Sequence, residues 1–143
     1  MKKTLAVLAL ALLSLVAVHA DDPASRVVKD AKIYIEPAEN GIHTALGGAL
    51  RKKKVPVVQV IDKEKADYVI SVVGEYKQAG WAKKLMSGGS ARGEANASMS
   101  VAHRETGTVT FGYNVDKGNA ARGMQSVAEA CAKHLKNHID GKE

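Results

Sequence analysis

Cys131, His134 and His138 are side-chain types that hold transition metals, and they stand at three- and four-residue spacing. On an α-helix they would project at about 0°, 300° and 340°, inside one sector of about 60°. A thiolate with an i, i+4 histidine pair suits zinc or copper. The same sector carries an apolar stripe that has to face a core, and cysteine is among the most buried residue types even where it binds nothing. The competing reading makes Cys131 a core residue and the two histidines rim residues beside Lys133 and Lys136.

Two stretches have the chemistry to hold an anion. Ser87-Gly88-Gly89-Ser90-Ala91-Arg92-Gly93 has the glycine content of a phosphate-cradling loop, with Arg92 as counter-charge. It lacks the Gly-Lys-Ser/Thr ending of a P-loop, and no helical pattern follows it, so it reads as a connecting loop. The run Arg51-Lys52-Lys53-Lys54 is the second, and it reads equally well as a solvated helix end.

Trp81, Lys83, Lys84 and Met86, with Leu85 among them, form a basic and apolar segment. An exposed tryptophan beside lysines can anchor a partner protein or touch an anionic membrane or cell-wall surface. The alternative is that Trp81 folds back over a sheet edge. Long loops in compact domains are often functional, so this is the segment expected to contact a partner. Asn96-Ala97-Ser98 matches a glycosylation acceptor but falls inside a strand pattern, and reads as chance.

Catalysis finds little support. A nucleophile needs a positioned base, yet Ser71, Ser98 and Ser100 lie in strand patterns and nothing resembles a nucleophile elbow. His43 and His103 have no partner pattern, and Asp62, Glu64 and Asp67 look like a charged turn. The expectation is a non-enzymatic protein with no cofactor.

The N-terminus indicates export. Lys2 and Lys3 precede an apolar run from Leu5 to Val18, which ends at Val18-His19-Ala20 before Asp21 and Asp22. That is a basic region, an apolar region and a small-residue cleavage site. The run is shorter than the ~20 residues of a membrane span. Cutting after Ala20 leaves about 123 of the 143 residues and about +4 of the formal +6 charge. No cysteine follows the cut, so no lipid anchor is expected. The modest positive charge favours acidic surfaces and is too dispersed for nucleic acid. Cys131 is the lone cysteine, so no disulfide can form within the chain.

The elements that must position these residues follow from periodicity. Residues 21–29 read as a flexible polar segment, and residues 30–143 as one domain. Lys32 to Glu36 alternates like a strand stopped by Pro37. Ile42, Leu46, Ala49 and Leu50 make a helical stripe, with Asn40 as N-cap and Gly47-Gly48 allowing close approach to a sheet. Strands are expected at 55–61 and 68–76, and a loop over 78–93. Glu94 to His103 alternates with Ala95, Ala97, Met99 and Val101 inward; Thr108 to Val115 follows with Val109, Phe111, Tyr113 and Val115 inward, broken by Lys117-Gly118-Asn119. Ser126 to Glu129 is a capping-box pattern, with a start a few residues earlier as the alternative. Val127, Cys131, Leu135 and Ile139 form the last buried stripe, ended by Gly141. The order β-α-β-β-β-α gives a two-layer α/β (α+β) sandwich: a mixed sheet of about five strands with two helices on one face. The first two strands should be parallel through a right-handed crossover, and the last three antiparallel.

Lys65-Ala66-Asp67-Tyr68-Val69-Ile70 opening a central strand, Thr106-Gly107-Thr108-Val109 between two meander strands, and Ser126-Val127-Ala128-Glu129 opening the last helix occur together here. In this the chain resembles the periplasmic α/β domain of the CsgG, LpoB and TolB N-terminal type over about residues 30 to 140. The resemblance implies a non-enzymatic envelope domain that docks onto other proteins or assembles into larger complexes; the residues themselves leave a small-ligand or metal-binding envelope protein as the alternative. It carries over no functional residue. Many members of that group are lipid-anchored, and this chain lacks the cysteine for it. Intact-mass measurement of the protein from its native host should find a chain beginning at Asp21; a species still beginning at Met1 would remove the case for export.

Overall fold

A computed structural model describes residues 26–120 and 122–142. The expected signal segment, its cut after Ala20 and residues 21–25 lie outside the described residues. Strands β1 (Ala31–Ile35), β2 (Val57–Gln59), β3 (Tyr68–Lys77), β4 (Gly93–His103) and β5 (Val109–Ala120) form one sheet in the order β2-β1-β3-β4-β5. β1 runs parallel to β2 and β3, and β3, β4 and β5 are antiparallel neighbours. Helices α1 (Ile42–Lys52) and α3 (Met124–Asp140) cover one face of this sheet, giving the expected two-layer sandwich. Among the described residues no helix is long and apolar enough to cross a membrane.

Period-2 alternation decides which side chains face the helices. On β3 these are Tyr68, Ile70 and Val72, and on β4 Ala95, Ala97, Met99 and Val101, all buried. The α1 stripe of Ile42, Leu46, Ala49 and Leu50 and the α3 stripe of Val127, Cys131, Leu135 and Ile139 meet them, also buried. Small residues let the helices come close. A Cβ on Gly74 would lie 2.9 Å from Met124 and 3.4 Å from Ile42, one residue of each helix neighbourhood. Gly47 approaches Gln59 of β2, whose Nε2 donates to the Gly47 carbonyl at 3.0 Å, whereas Gly48 has open space above it. Close approach to the sheet therefore accounts for Gly47 alone.

The sequence motifs find local roles. The Asp67 carboxylate accepts from the Lys32 backbone N–H at 2.7 Å and so ties the start of β3 to β1. Gly107 takes a left-handed φ of 68° in the β4–β5 turn, which glycine adopts without strain. Gly141 does the same at the end of α3.

Several expectations are corrected. The 78–93 connection is not all loop: it holds a short helix, α2 (Trp81–Met86). β2 covers three residues rather than seven. β5 continues through Lys117-Gly118-Asn119, because β4 is long enough to pair with it as far as Ala120. A register shift beside Val101 and Ala102 turns Val109 to the open face, where it is exposed. Asn40 does not cap α1; Gly41 does, and Asn40 sits at φ 58° with its side chain reaching the Gly74 carbonyl. Ser126 and Glu129 form no capping box, since α3 begins at Met124. Part of the segment expected to be flexible is held, with Val27 buried and the Tyr68 hydroxyl donating to the Arg26 carbonyl at 3.0 Å.

Gly93 is the tightest point of the β3–β4 hairpin, since a Cβ there would lie 2.5 Å from the Lys77 carbonyl oxygen and 2.6 Å from the Tyr76 ring. Gly93→Ala should cost about 1–3 kcal/mol through forced displacement. Gly118→Ala in β5, where a Cβ meets nothing within 4 Å, should be neutral or stabilise by up to about 1 kcal/mol. Urea unfolding midpoints check both.

Candidate interaction site

Among the described residues the β3–β4 connection carries three large exposed apolar side chains, Trp81, Leu85 and Met86. Gly80 enters α2 in an extended conformation, and Ala82 to Met86 are good helix formers. The helix ends in a Schellman motif: Gly88 and Gly89 have φ of 63° and 84°, and their N–H groups donate to Leu85 and Lys84 carbonyls at 3.3 and 2.7 Å. No side chain of α2 is buried. Trp81 is 77%, Leu85 71% and Met86 92% exposed, so Trp81 does not fold over the sheet edge. Lys83 reaches back to Glu94 at 3.3 Å. The following loop satisfies itself, with the Ser87 hydroxyl accepting from the Ala91 N–H at 2.9 Å and the Ser90 hydroxyl donating to the Ser87 carbonyl at 2.7 Å.

Beside this arm, the open face of the sheet is concave. A hollow of about 930 Å³ lies between the Pro37–Asn40 segment and the polar face of β3, β4 and β5. Ser71, Val73, Glu75, Asn96, Ser98 and Asp116 line it. The Ser98 hydroxyl donates to Asn114, and the Ser71 hydroxyl to Glu36. Lys63 also donates to Glu36, at 2.7 Å, and these two bonds hold its carboxyl below the usual range. Sequence reasoning missed the hollow, whose lining comes from separate strands.

The basic run at the end of α1 is divided. Lys52 donates to Glu129 of α3 at 2.8 Å, and Lys53 lies 3.9 Å from the same carboxylate. Arg51 and Lys54 are exposed, and Lys54 leaves the helix at φ 53°. Arg92 stands apart, exposed before β4. Glu129 also accepts from Arg122 at 3.0 Å and from Gln125 at 3.3 Å. The Lys52 hydrogen bond above all, helped by Gln125 and Arg122, lowers its pKa to about 2 against the opposing effect of burial.

Cys131, His134 and His138 share a helix face but are drawn to different tasks. The Cys131 thiol is fully buried, and burial raises its pKa to about 11, so it stays protonated at neutral pH. The His134 ring stacks on Tyr113 with centroids 4.1 Å apart, and His138 packs on Phe111 at 4.7 Å. Among the described residues no three His, Cys, Asp or Glu side chains are grouped to hold a metal ion. The rings lie against β5 because Phe111 and Tyr113 occupy its helix-facing positions.

Neither a family model nor a curated protein sequence matches this chain. Solved structures do. The chain is similar in fold to PelC and to TolB. PelC from Paraburkholderia phytofirmans, solved as a dodecamer, superimposes with a TM-score of 0.54 at 16% identity, over 78% of this chain and 90% of that one. TolB from Acinetobacter baumannii superimposes with a TM-score of 0.50 at 12% identity, over 82% of this chain and 30% of TolB. At these identities the likeness is one of fold alone.

Glu129 has a folded pKa below its ordinary 4.5, so the stability it contributes is complete above pH 4.5 and is lost as pH falls toward 2. Glu129→Gln should lower stability at pH 7 by about 1.5–3 kcal/mol, the range for hydrogen bonds to charged groups. It should also flatten the acid limb of the stability curve. Denaturant unfolding at stepped pH checks both.

Proposed function

We propose that this chain is an exported, non-enzymatic protein of the cell envelope that acts as an interaction or assembly domain, of the kind the CsgG, LpoB and TolB resemblance implies. The observation that carries it is the α2 arm. Three large apolar side chains, Trp81, Leu85 and Met86, stand in solvent on a capped helix that buries none of them. Exposed apolar side chains gathered in this way mark interaction surfaces, and tryptophan is the residue type most enriched at binding hot spots. Lys83 and Lys84 give the arm a basic flank suited to an acidic partner surface. The fold shared with PelC, which forms a dodecamer, and with TolB agrees with such a role.

The hollow on the open face favours a second reading, a small-ligand-binding envelope protein, because its size falls within the usual range for ligand sites. The two readings separate in cells. Under the first, Trp81→Ala abolishes function and Asn114→Ala does not; under the second the order is reversed.

A photo-crosslinking residue at Met86 should give a discrete protein adduct in intact cells. The same residue at Glu105, in the β4–β5 turn, should give none, and Trp81→Ala should remove the Met86 adduct. Equal labelling at both positions, or none at Met86, would overturn the interaction reading.

A further inference from the structure

A second depression, of about 340 Å³, lies where β5 passes the first half of α3 and the end of α1. Its lining brings together Lys53, Lys117, Arg122, Lys133 and His134 around the single carboxylate of Glu129. Three separate pieces of chain supply these cations. Lys117 occupies the helix-facing row of β5, two residues beyond Val115 and opposite Ala95 of β4. Lys133 follows Glu129 and Ser126 along one side of α3, at helical spacing.

The charges do not cancel. The one carboxylate of Glu129 is shared by three cations, Lys52 from outside the depression at 2.8 Å, Arg122 at 3.0 Å and Lys53 at 3.9 Å, so it offsets a single charge of the group. Among the described residues the side-chain ammonium of neither Lys117 nor Lys133 has an ion-pair or hydrogen-bond partner. Four like charges gathered in a concave site repel one another and focus a positive potential. A bound anion relieves that repulsion, and ammonium groups serve well as point-charge ligands of phosphate.

We propose that this depression is a binding site for a phosphate group, with Lys117 and Lys133 as its principal ligands and Lys53 and Arg122 as flanking charges. The phosphate can belong to a soluble phosphate ester or to an anionic lipid headgroup, and the volume leaves room for a small attached group. The proposal does not depend on the α2 arm, which is a different surface on another connection.

The test is a titration of the ¹⁵N-labelled mature protein with inorganic phosphate at low ionic strength. Saturable amide shifts are expected around Lys53, Lys117, Arg122 and Lys133, with half-saturation on the order of 1–10 mM, the affinity of a few exposed charges. Binding should weaken as sodium chloride shortens the Debye length from about 30 Å at 10 mM to about 10 Å at 0.1 M. The double variant Lys117→Gln/Lys133→Gln should lose the shifts at least tenfold while keeping the wild-type thermal midpoint, because neither side chain supports the core. Vesicles of phosphatidylglycerol in phosphatidylcholine identify the source: co-sedimentation that the double variant loses assigns a lipid headgroup, and phosphate binding without vesicle binding assigns a soluble ester. Shifts that do not saturate by 50 mM phosphate, that spread evenly over all lysines, or that persist in the double variant would overturn the site.

Discussion

Among the described residues the helices cover one face of the sheet, and strand register decides which side chains lie there. β3, β4 and β5 pair over nearly their full lengths, so a shift of one residue would exchange Ala95, Ala97, Met99 and Val101 for Glu94, Asn96, Ser98 and Ser100. Burying that polar set beneath α1 and α3 would leave hydroxyl, amide and carboxylate groups without water. The energetic gap between the two registers fixes the molecule. Gly74 of β3 and the alanines of β4 suit the same arrangement, because larger side chains there would lift the helices from the sheet.

The charged groups follow from the same layering. With α1 and α3 side by side, the C-terminal end of α1 comes next to the first half of α3, and Glu129 sits between them as a common anchor for Lys52 and Arg122. The dipole of α1 favours cations at that end, and the carboxylate then gathers them. The open face is free of this demand. It can be hollow and polar, and the long β3–β4 hairpin can carry α2 beyond the core without cost to packing.

Much of the fold was legible because alternation and helical spacing report directly on a one-sided core. The stripes of α1 and α3, the inward residues of β4 and the parallel-then-antiparallel order all follow from that signal. What escaped was set by distant partners. β5 runs past Lys117-Gly118-Asn119 only because β4 pairs with it, and Glu129 looked like half of a capping box because Lys52 lies 77 positions away. The Gly88-Gly89 pair was a readable helix stop, but a helix of six residues leaves little periodicity to detect. The α2 side chains stood out because they fitted no stripe. The cations of the α3 depression did not, since they come from three elements and no local pattern links them.

The chain contains one tryptophan, and it stands on the arm rather than in the core. Its fluorescence therefore reports on the arm's surroundings and says little about whether the helices remain packed on the sheet. A melting curve followed at indole emission would be nearly silent while the interior came apart, so far-ultraviolet dichroism is the appropriate monitor of unfolding. The same isolation makes the indole a built-in optical probe, whose emission would shift to the blue whenever something apolar settles on α2.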